Sequence, residues 1–391
     1  MKRCINLVQL TVLFAIVLSC SKQKSNSEEQ PISISIVDSV KVAHLGQMML
    51  SDISPSDDYF LTVDYQKSTY YLISTQGEIL QQYQKSGDTP DAFGFAFSEM
   101  GFWDDESVFI IGSKAIKWYD LNGHEIKSTP KNPDYQLGAI MRFTGGQPKI
   151  LNTNDGTRIL HQGGPVLGKR TEPDYFDKFR GGTLINPANF EVKHLFPLEK
   201  DSRFYDGKYY DNGDLYARLS VGKEYIYLTF DGNPVLYAYH KKEPFELAFK
   251  KNLSLNNVNL SEGMNPEFVD YDVFLDASKG GLRNLQTDDD HIYLMYFEGI
   301  PKDRLTELDQ LYEIDEVKAD VAYEEEISKR EKRLKIFDLE GNEKVDILLP
   351  KHLDSYWGFI SKDGFLYFNK AQNMDTEEDY FTIYKIKIDY D

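Results

Sequence analysis

The chain has 391 residues, of which 63 are acidic and 44 basic, giving a formal net charge of −19. Such acidity argues against nucleic acid as a partner and against docking on anionic lipid through a basic surface, whereas calcium and basic partners stay compatible with it. Aromatic residues make up 14% of the chain, with 26 Tyr and 24 Phe. This composition favours strands over helices.

Residues 1–19 have the pattern of a lipoprotein signal peptide. Lys2 and Arg3 supply a positive start, and an apolar run follows from Ile5 to Leu18. A transmembrane helix needs about 20 predominantly apolar residues, and here polar sequence begins directly after a shorter run. The segment is therefore predicted to target the chain for export without spanning the membrane.

The leader ends in Val17, Leu18, Ser19 and Cys20, which resembles a lipobox. The small Ser19 would admit the signal peptidase, and the thiol of Cys20 would accept diacylglycerol. Cys4 is the only other cysteine and lies in the leader, so a disulfide partner is lacking after cleavage. We expect lipidation at Cys20 with fatty acids such as palmitate; the alternative is an ordinary signal peptide in which Cys20 is incidental. Several acyl chains together anchor a protein stably.

Residues 20–31 are polar and contain no aromatic side chain, so they are predicted to form a flexible tether. Loss of Lys2 and Arg3 with the leader takes the net charge from −19 to −21. The predicted location is the cell envelope, with a lipid anchor in the outer membrane. Glu28 and Glu29 are weak evidence for surface export, so the membrane face stays open.

From residue 32 to residue 391 the sequence predicts one all-β domain built from repeated hairpins. In three places an apolar strand runs into a polar turn with a glycine and a second strand returns. These hairpins are Tyr70–Ile79 with Gly77, Ile116–Ile126 with Gly123, and Leu334–Val345 with Gly341. Acidic or glycine turns before apolar strands recur as well. Fixed repetition of strand and turn is typical of a β-propeller.

Six blades are predicted, each of four strands. They are centred on residues 46–85, 95–130, 137–197, 203–252, 280–350 and 355–391. Extra length near 160–182 and 253–279 leaves room for a seventh blade. The last unit ends at Phe381–Ile388 without a fourth strand, and we expect Ile32–Val37 to complete it and close the ring.

Residues 301–333 interrupt the strand pattern. They are highly charged, and Leu305, Leu308 and Leu311 recur at helical spacing. We expect a short insertion of one or two helices between strands of blade five. We interpret the insertion as a solvent-exposed helical segment that covers a sheet edge. The alternative is an arm that docks a partner.

The hairpins, followed by the Gly- and Pro-containing segment 85–94, resemble the six-bladed propeller lipoproteins of Bacteroidota. Thr89 and Ala92 stand where those proteins have glycine and an acid, and blades three and four lack the D-x-x-G turn. Members of this group are mostly uncharacterised. The resemblance therefore implies a fold and a location more than an activity.

Motifs that carry chemistry are missing from the sequence. Seven histidines occur, none at H-x-x-x-H spacing, and neither G-x-S-x-G nor a P-loop is present. No catalytic residue, metal ligand or cofactor is predicted. The richest acidic cluster, Asp288–Asp290, has the composition of a calcium site, but it occupies a repeat turn, where Asp bonds its own backbone. The turn interpretation is favoured.

Three residues form the predicted ligand site. Arg142, Arg283 and Trp357 fall on or beside the predicted innermost strands, near the mouth of the central channel. Two guanidinium groups there would clamp a carboxylate or an acidic sugar, with Trp357 stacking on a ring. The alternative is that the two arginines pair with acids of neighbouring blades.

Two functions fit this sequence. The first is a non-enzymatic binding or scaffold lipoprotein that takes a protein or glycan ligand. The second is a propeller hydrolase or lyase that acts on a sugar or peptide at the central channel. An enzyme would gather several titratable residues at one mouth of the channel, whereas an adhesive surface would expose aromatic side chains on a rim.

Overall fold

The computed structural model describes residues 32–131, 147–165, 167–169, 172, 174–211, 213–265, 277–372 and 378–389. Arg142 and Cys20 lie outside these residues. Within the unit formed by residues 34–388, the described strands form six four-stranded antiparallel sheets, which are the blades of a propeller.

Each blade runs from an inner strand outward. The first strand of the chain, β1 (Ser33–Val42), belongs to the last blade. Blade one contains β2 (Met49–Ile53), β3 (Tyr59–Asp64), β4 (Thr69–Ser74) and β5 (Ile79–Tyr83), and blade two contains β6 (Gly101–Phe102), β7 (Ser107–Ile111), β8 (Ala115–Asp120) and β9 (Glu125–Pro130). Blade three contains β10 (Lys149–Thr153), β11 (Gly156–Gln162), β12 (Arg180–Ile185) and β13 (Val192–Pro197), and blade four contains β14 (Ala217–Val221), β15 (Tyr225–Phe230), β16 (Asn233–His240) and β17 (Leu247–Asn252).

The remaining elements follow the same order. Blade five contains β18 (Gly281–Thr287), β19 (His291–Phe297), β20 (Lys332–Asp338) and β21 (Glu343–Leu348), and blade six contains β22 (Leu353–Lys362), β23 (Phe365–Lys370), β24 (Phe381–Asp389) and β1. The helices are α1 (Tyr175–Lys178), α2 (Lys302–Tyr312) and α3 (Glu316–Lys329), with 3-10 turns at Arg203–Tyr205 and Ala277–Lys279.

The prediction of an all-β, six-bladed propeller with a short helical insertion is confirmed. The inner strands lie against one another around the ring: β2 contacts β6 and β22, and β18 contacts β14 and β22. The described residues hold no seventh blade. Residues 160–182 contain α1 and the ends of β11 and β12 instead.

The predicted glycine turns share one hydrogen-bond pattern. The carbonyl of Asp120 accepts from Gly123 N at 3.0 Å, and its Oδ1 accepts from His124 N at 2.8 Å. Asp338 accepts the same two bonds in blade five. In blade one the Ser74 carbonyl accepts from Gly77 N, and the Ser74 hydroxyl oxygen accepts from Glu78 N. The turn glycines have φ of +86° at Gly77, +82° at Gly123 and +76° at Gly341.

Each of these turns also packs against the outer strand of the preceding blade. A methyl group added to the glycine would meet that strand in all three cases. It would overlap the Lys41 carbonyl oxygen of β1 at Gly77, lie 2.7 Å from Gln81 Nε2 of β5 at Gly123, and lie 3.1 Å from Lys251 Cγ of β17 at Gly341. The glycine therefore serves both the turn and the close approach of neighbouring blades.

The chain closes the ring by pairing its first strand with its last. β1 lies outside β24, as expected for Ile32–Val37, and the strand extends to Val42. Because antiparallel strands alternate in direction, the connections between blades and those between second and third strands share one face, here called the upper face. The other two turns of each blade share the lower face. β1 begins on the lower side of blade six and ends on the upper side.

The insertion of blade five leaves the upper face between β19 and β20. Asp315 caps α3, its Oδ1 accepting from Lys318 N at 3.1 Å. Leu308 and Ala319 are buried, whereas Ile314 and Val317 are 83% and 73% exposed. One side of the helical pair therefore packs and another faces solvent. Among the described residues, none of the helices has the length and apolarity to cross a bilayer.

Apolar packing between adjacent blades forms the core. Phe109 and Trp118 of blade two, for example, pack with Ile159, Ile185 and Phe190 of blade three, all almost fully buried. Such interfaces fix each blade against the next. Loops on the upper face are therefore held on a rigid support.

Candidate functional site

A cavity of about 410 Å³ opens on the upper face between blades four and five. Its walls come from the connection before β14, the turn between β15 and β16, the connection before β18, the start of β18, and α3. Four of these five segments belong to blades four and five and the connections that lead into them, and the fifth, α3, belongs to the inserted helices.

The blade-four wall contains a buried ion pair. Arg218 Nε lies 3.0 Å from Asp231 Oδ1, and Nη2 lies 2.6 Å from Oδ2, a bidentate arrangement. Arg218 is 2% exposed and also donates from Nη2 to the Leu282 carbonyl at 3.2 Å. Burial raises the pKa of Asp231, and Arg218 opposes that rise. The pair fixes the cavity wall to β18 of blade five.

Two further carboxyl groups stand beside this pair. Asp214 N donates to Asp211 Oδ1 at 3.1 Å, and Asp211 N donates to Asp214 Oδ2 at 3.3 Å. Burial, and secondarily the charge of Asp211, raises the pKa of Asp214 to about 6. Lys279 Nζ lies 3.8 Å from Asp211 Oδ2. Asp214 therefore holds its proton to a higher pH than an ordinary aspartate does.

The blade-five side of the cavity carries cations around one aromatic ring. Arg283 Cζ lies 4.9 Å from the centre of the Phe297 ring and Arg330 Cζ lies 5.5 Å from it. Lys332 Nζ lies 6.0 Å from the same centre. Phe297 is 6% exposed, so the ring is desolvated and cation–π attraction is at its stronger end. Arg283 and Arg330 both border the cavity.

Backbone contacts hold the connection before β18. Asn259 N donates to the Lys279 carbonyl at 2.8 Å, and its Nδ2 donates to the Ile300 carbonyl at 2.8 Å. Gly280 has φ of +74°, and an added methyl group would lie 2.5 Å from Phe297 O. Gly281 faces open space. The connection is therefore packed tightly behind Gly280, and Gly281 borders the cavity.

The predicted ligand residues are only partly brought together. Arg283 lies in the cavity wall, at the start of the inner strand β18. Trp357 belongs to β22, but its side chain lies outside what the structure describes, and Arg142 lies outside the described residues altogether. The predicted clamp of two arginines with Trp357 thus stays a prediction. At the cavity, the charge of Arg283 acts on Asp231, and Arg283 shares the Phe297 ring with Arg330 of the insertion.

Sequence reasoning missed the acidic wall. Asp214 and Asp231 each lie beside a glycine and Asp211 lies two residues from one, a pattern that indicates turns between apolar runs. That signal places them in turns but not next to one another. Their proximity depends on the twist and stacking of blades four and five.

Polar side chains of the inner strands also form hydrogen bonds between neighbouring blades. Asp52 of β2 accepts from Phe102 N at 2.8 Å, and burial raises its pKa. Asn284 Nδ2 of β18 donates to the Phe359 carbonyl at 2.7 Å. These groups bridge strands around the ring, so we assign them a structural role.

The acidic cluster at Asp288–Asp290 forms a turn. Asp288 Oδ1 accepts from Asp290 N at 3.0 Å and from His291 N at 2.8 Å, and its Oδ2 accepts from Tyr293 Oη at 2.7 Å. Nowhere in the described part of the chain do three His, Cys, Asp or Glu side chains converge as a metal site. The hydrogen bonds of Asp288 are those of an Asx turn.

No family model matches the chain, and no curated protein matches it. Solved structures do share its fold. A member of the DUF4221 family from Bacteroides vulgatus is 10% identical with a TM-score of 0.63, and the match covers 93% of this chain and 100% of that one. A Bacteroides fragilis protein inferred to be exported is 11% identical with a TM-score of 0.53, covering 92% and 96%. At these identities the likeness shows the fold alone, and it fits the predicted relation to Bacteroidota propellers.

Proposed function

We propose that the protein is an envelope lipoprotein, anchored through Cys20, whose propeller binds a small polar ligand without transforming it. The observation that carries the binding role is the cavity between blades four and five. Its charged walls are fixed by hydrogen bonds and close packing to a rigid ring. Concave sites with a few fixed polar groups are typical of small-molecule binding. Peptides and glycans are the ligand classes whose polar groups such a cavity can bind.

The predicted tether over residues 20–31 would join the lipid to β1, the strand that completes blade six. The likeness of the fold to a Bacteroides protein inferred to be exported supports an envelope location.

The anchor is tested by metabolic labelling with radioactive palmitate. We expect the wild-type chain to carry label and to partition into detergent, and Cys20→Ala to lose both properties. Cys4→Ala is the matched control, because that cysteine lies in the predicted leader and its variant should label normally. Label retained on Cys20→Ala would refute the anchor.

The binding role is tested by thermal shift and calorimetry with a panel of amino acids, dipeptides, acidic sugars and neutral sugars. We expect one class to raise the unfolding midpoint of the wild type and to lose that effect in Arg283→Ala. Arg158→Ala is the matched control, because Arg158 lies on β11 of blade three, outside the cavity. A panel without any stabilising member would contradict the binding role.

One observation favours the alternative of a hydrolase or lyase. Asp211 and Asp214 form a close carboxyl pair, and the pKa of Asp214 is about 6, suited to general acid–base catalysis. For that function, Asp214→Asn would abolish turnover of a sugar or peptide substrate while leaving its binding in place. Binding without turnover in the wild type would support the binding role.

A further inference from the structure

We propose that the cavity selects a zwitterion, namely an amino acid or a short peptide with free termini. The ligand's carboxylate would lie against Arg283 and Arg330, and its ammonium group would lie against the Asp211–Asp214 pair. This inference rests on the proposed binding function and names the ligand class of the same site.

The first argument is the separation of charge by structural element. The wall from blade four contributes carboxyl groups, from Asp211, Asp214 and Asp231. The wall from β18 and the end of α3 contributes the guanidinium groups of Arg283 and Arg330. The exceptions are Lys279, which lies close to Asp211, and Glu324 on α3. A ligand with both charges would meet complementary potential at each end.

The second argument identifies the carboxyl groups that receive the ammonium. Asp231 already binds Arg218 through both of its oxygens. The Asp211–Asp214 pair instead bonds backbone N–H groups and has a lysine ammonium at 3.8 Å. An ammonium group carries three donors, so it can serve two adjacent carboxylates at once. It would also reduce the repulsion between the two carboxylates when both are ionised.

The third argument concerns the opposite end of the ligand. Arg283 and Arg330 lie near the same Phe297 ring, so two planar guanidinium groups converge on one side of the cavity. This arrangement suits a carboxylate, which guanidinium groups bind through paired hydrogen bonds. Val258, Leu260 and Ile327 add apolar side chains to the lining. A ligand with an aliphatic side chain and charged ends matches this set of groups.

Neutral ligands are disfavoured by the same walls. An uncharged sugar would displace the water around the carboxyl pair and the arginines. Because it brings no opposite charge, the lost hydration of these groups would not be compensated. An anionic sugar would satisfy the arginines alone. Of these three classes, only a zwitterion satisfies both ends.

The test is titration calorimetry of the mature soluble domain with leucyl-leucine, its N-acetyl derivative and its C-terminal amide. We expect the parent dipeptide to bind, and each blocked derivative to bind at least tenfold more weakly. Asp214→Asn should lose the preference for the free amine, and Arg283→Ala the preference for the free carboxylate. Arg283→Lys should partly restore binding, and thermal unfolding of each variant establishes that it is folded. Arg158→Ala and Asp201→Asn serve as controls outside the cavity.

The pH dependence gives an independent readout. Asp214 is faced by Asp211 from its own loop, by Lys279 from the connection before β18, and by Arg203 from a 3-10 turn. Because an ammonium group prefers the ionised carboxyl, dipeptide affinity should rise as the pH goes from 5 to 7. In Asp214→Asn this rise should be largely absent.

The outcomes separate this inference from the proposed function. Equal binding of the N-acetyl and parent dipeptides would overturn the ammonium site. Binding of glucuronate, lost in Arg283→Ala, with no binding of any dipeptide would overturn the zwitterion and leave the binding role standing. If neither the dipeptides, leucine, glucuronate nor glucose binds, both proposals fail.

Discussion

Substitution of Gly77 tests the finding that the hairpin glycines hold neighbouring blades together. Gly77 has φ of +86°, and an added methyl group would overlap the backbone carbonyl of Lys41 in β1. Gly364 provides a matched control: its φ is +75°, yet nothing lies within 4 Å of an added methyl group. The two sites therefore share a backbone conformation and differ in the space around it.

The expected magnitudes follow from that difference. A left-handed conformation costs an alanine about 1–2 kcal/mol relative to glycine, so Gly364→Ala should destabilise the protein by that amount. Gly77→Ala adds a clash with backbone, and overpacking of this kind costs a further 1–3 kcal/mol or so. We expect a total of about 2–5 kcal/mol. Gly123→Ala should fall between them, because its obstacle is the flexible end of Gln81.

Urea unfolding of the soluble domain, followed by tryptophan fluorescence, measures these differences. Because β1 completes blade six, the Gly77→Ala clash falls on the strand that closes the ring. Proteolysis within the first residues of β1 should therefore accelerate in Gly77→Ala and stay unchanged in Gly364→Ala. Equal losses of stability in the two variants would refute the role of the close approach between blades. The left-handed turn conformation alone would then explain the effect of both substitutions.

Two further predictions concern buried polar groups. Arg218→Ala should destabilise the domain by about 3–5 kcal/mol, because it leaves Asp231 buried without its bidentate partner; chemical denaturation measures this loss, and recovery in Arg218→Ala/Asp231→Asn would identify the unpaired charge as its cause. His161 is 1% exposed, its Nε2 lies 3.1 Å from Phe97 O, and burial lowers its pKa to about 4. In the unfolded chain this histidine takes up a proton near pH 6.5, whereas in the folded chain it stays neutral. Its contribution to the free energy of unfolding should therefore be constant above pH 6.5, and the free energy of unfolding should fall by about 3 kcal/mol as the pH drops to 4. In His161→Gln that part of the pH dependence should vanish, and an unaltered profile would contradict the assignment.

The sequence was sufficient for the blades because each blade is local. A strand, a polar turn and a returning strand occupy about twelve residues, and Gly77, Gly123 and Gly341 mark the turns directly. Three of the six blades carry this glycine turn, and the absence of a fourth strand after Phe381–Ile388 indicates that the first strand of the chain completes the last blade. The charged insertion stood out because its leucines recur at helical spacing, which no neighbouring segment shows.

The site could not be predicted in the same way because its parts are distant in sequence. Asp214, Asp231, Arg283 and Arg330 lie on four segments, and only the stacking of blades four and five brings them to one cavity. Arg283 was singled out for its place near an inner strand. Arg330 could not be predicted as a site residue, because basic residues at the end of a charged helix are usually exposed to solvent.

The inserted helices contribute to the lining of the cavity. The end of α3 borders it through Ile327 and Arg330. Farther from the cavity, Ile314 and Val317 remain largely exposed. Both ends of the insertion are fixed to blade five, at β19 and β20, and Arg304 of α2 lies 3.2 Å from Glu326 of α3. A ligand held by Arg330 would therefore contact the insertion as well as blade five.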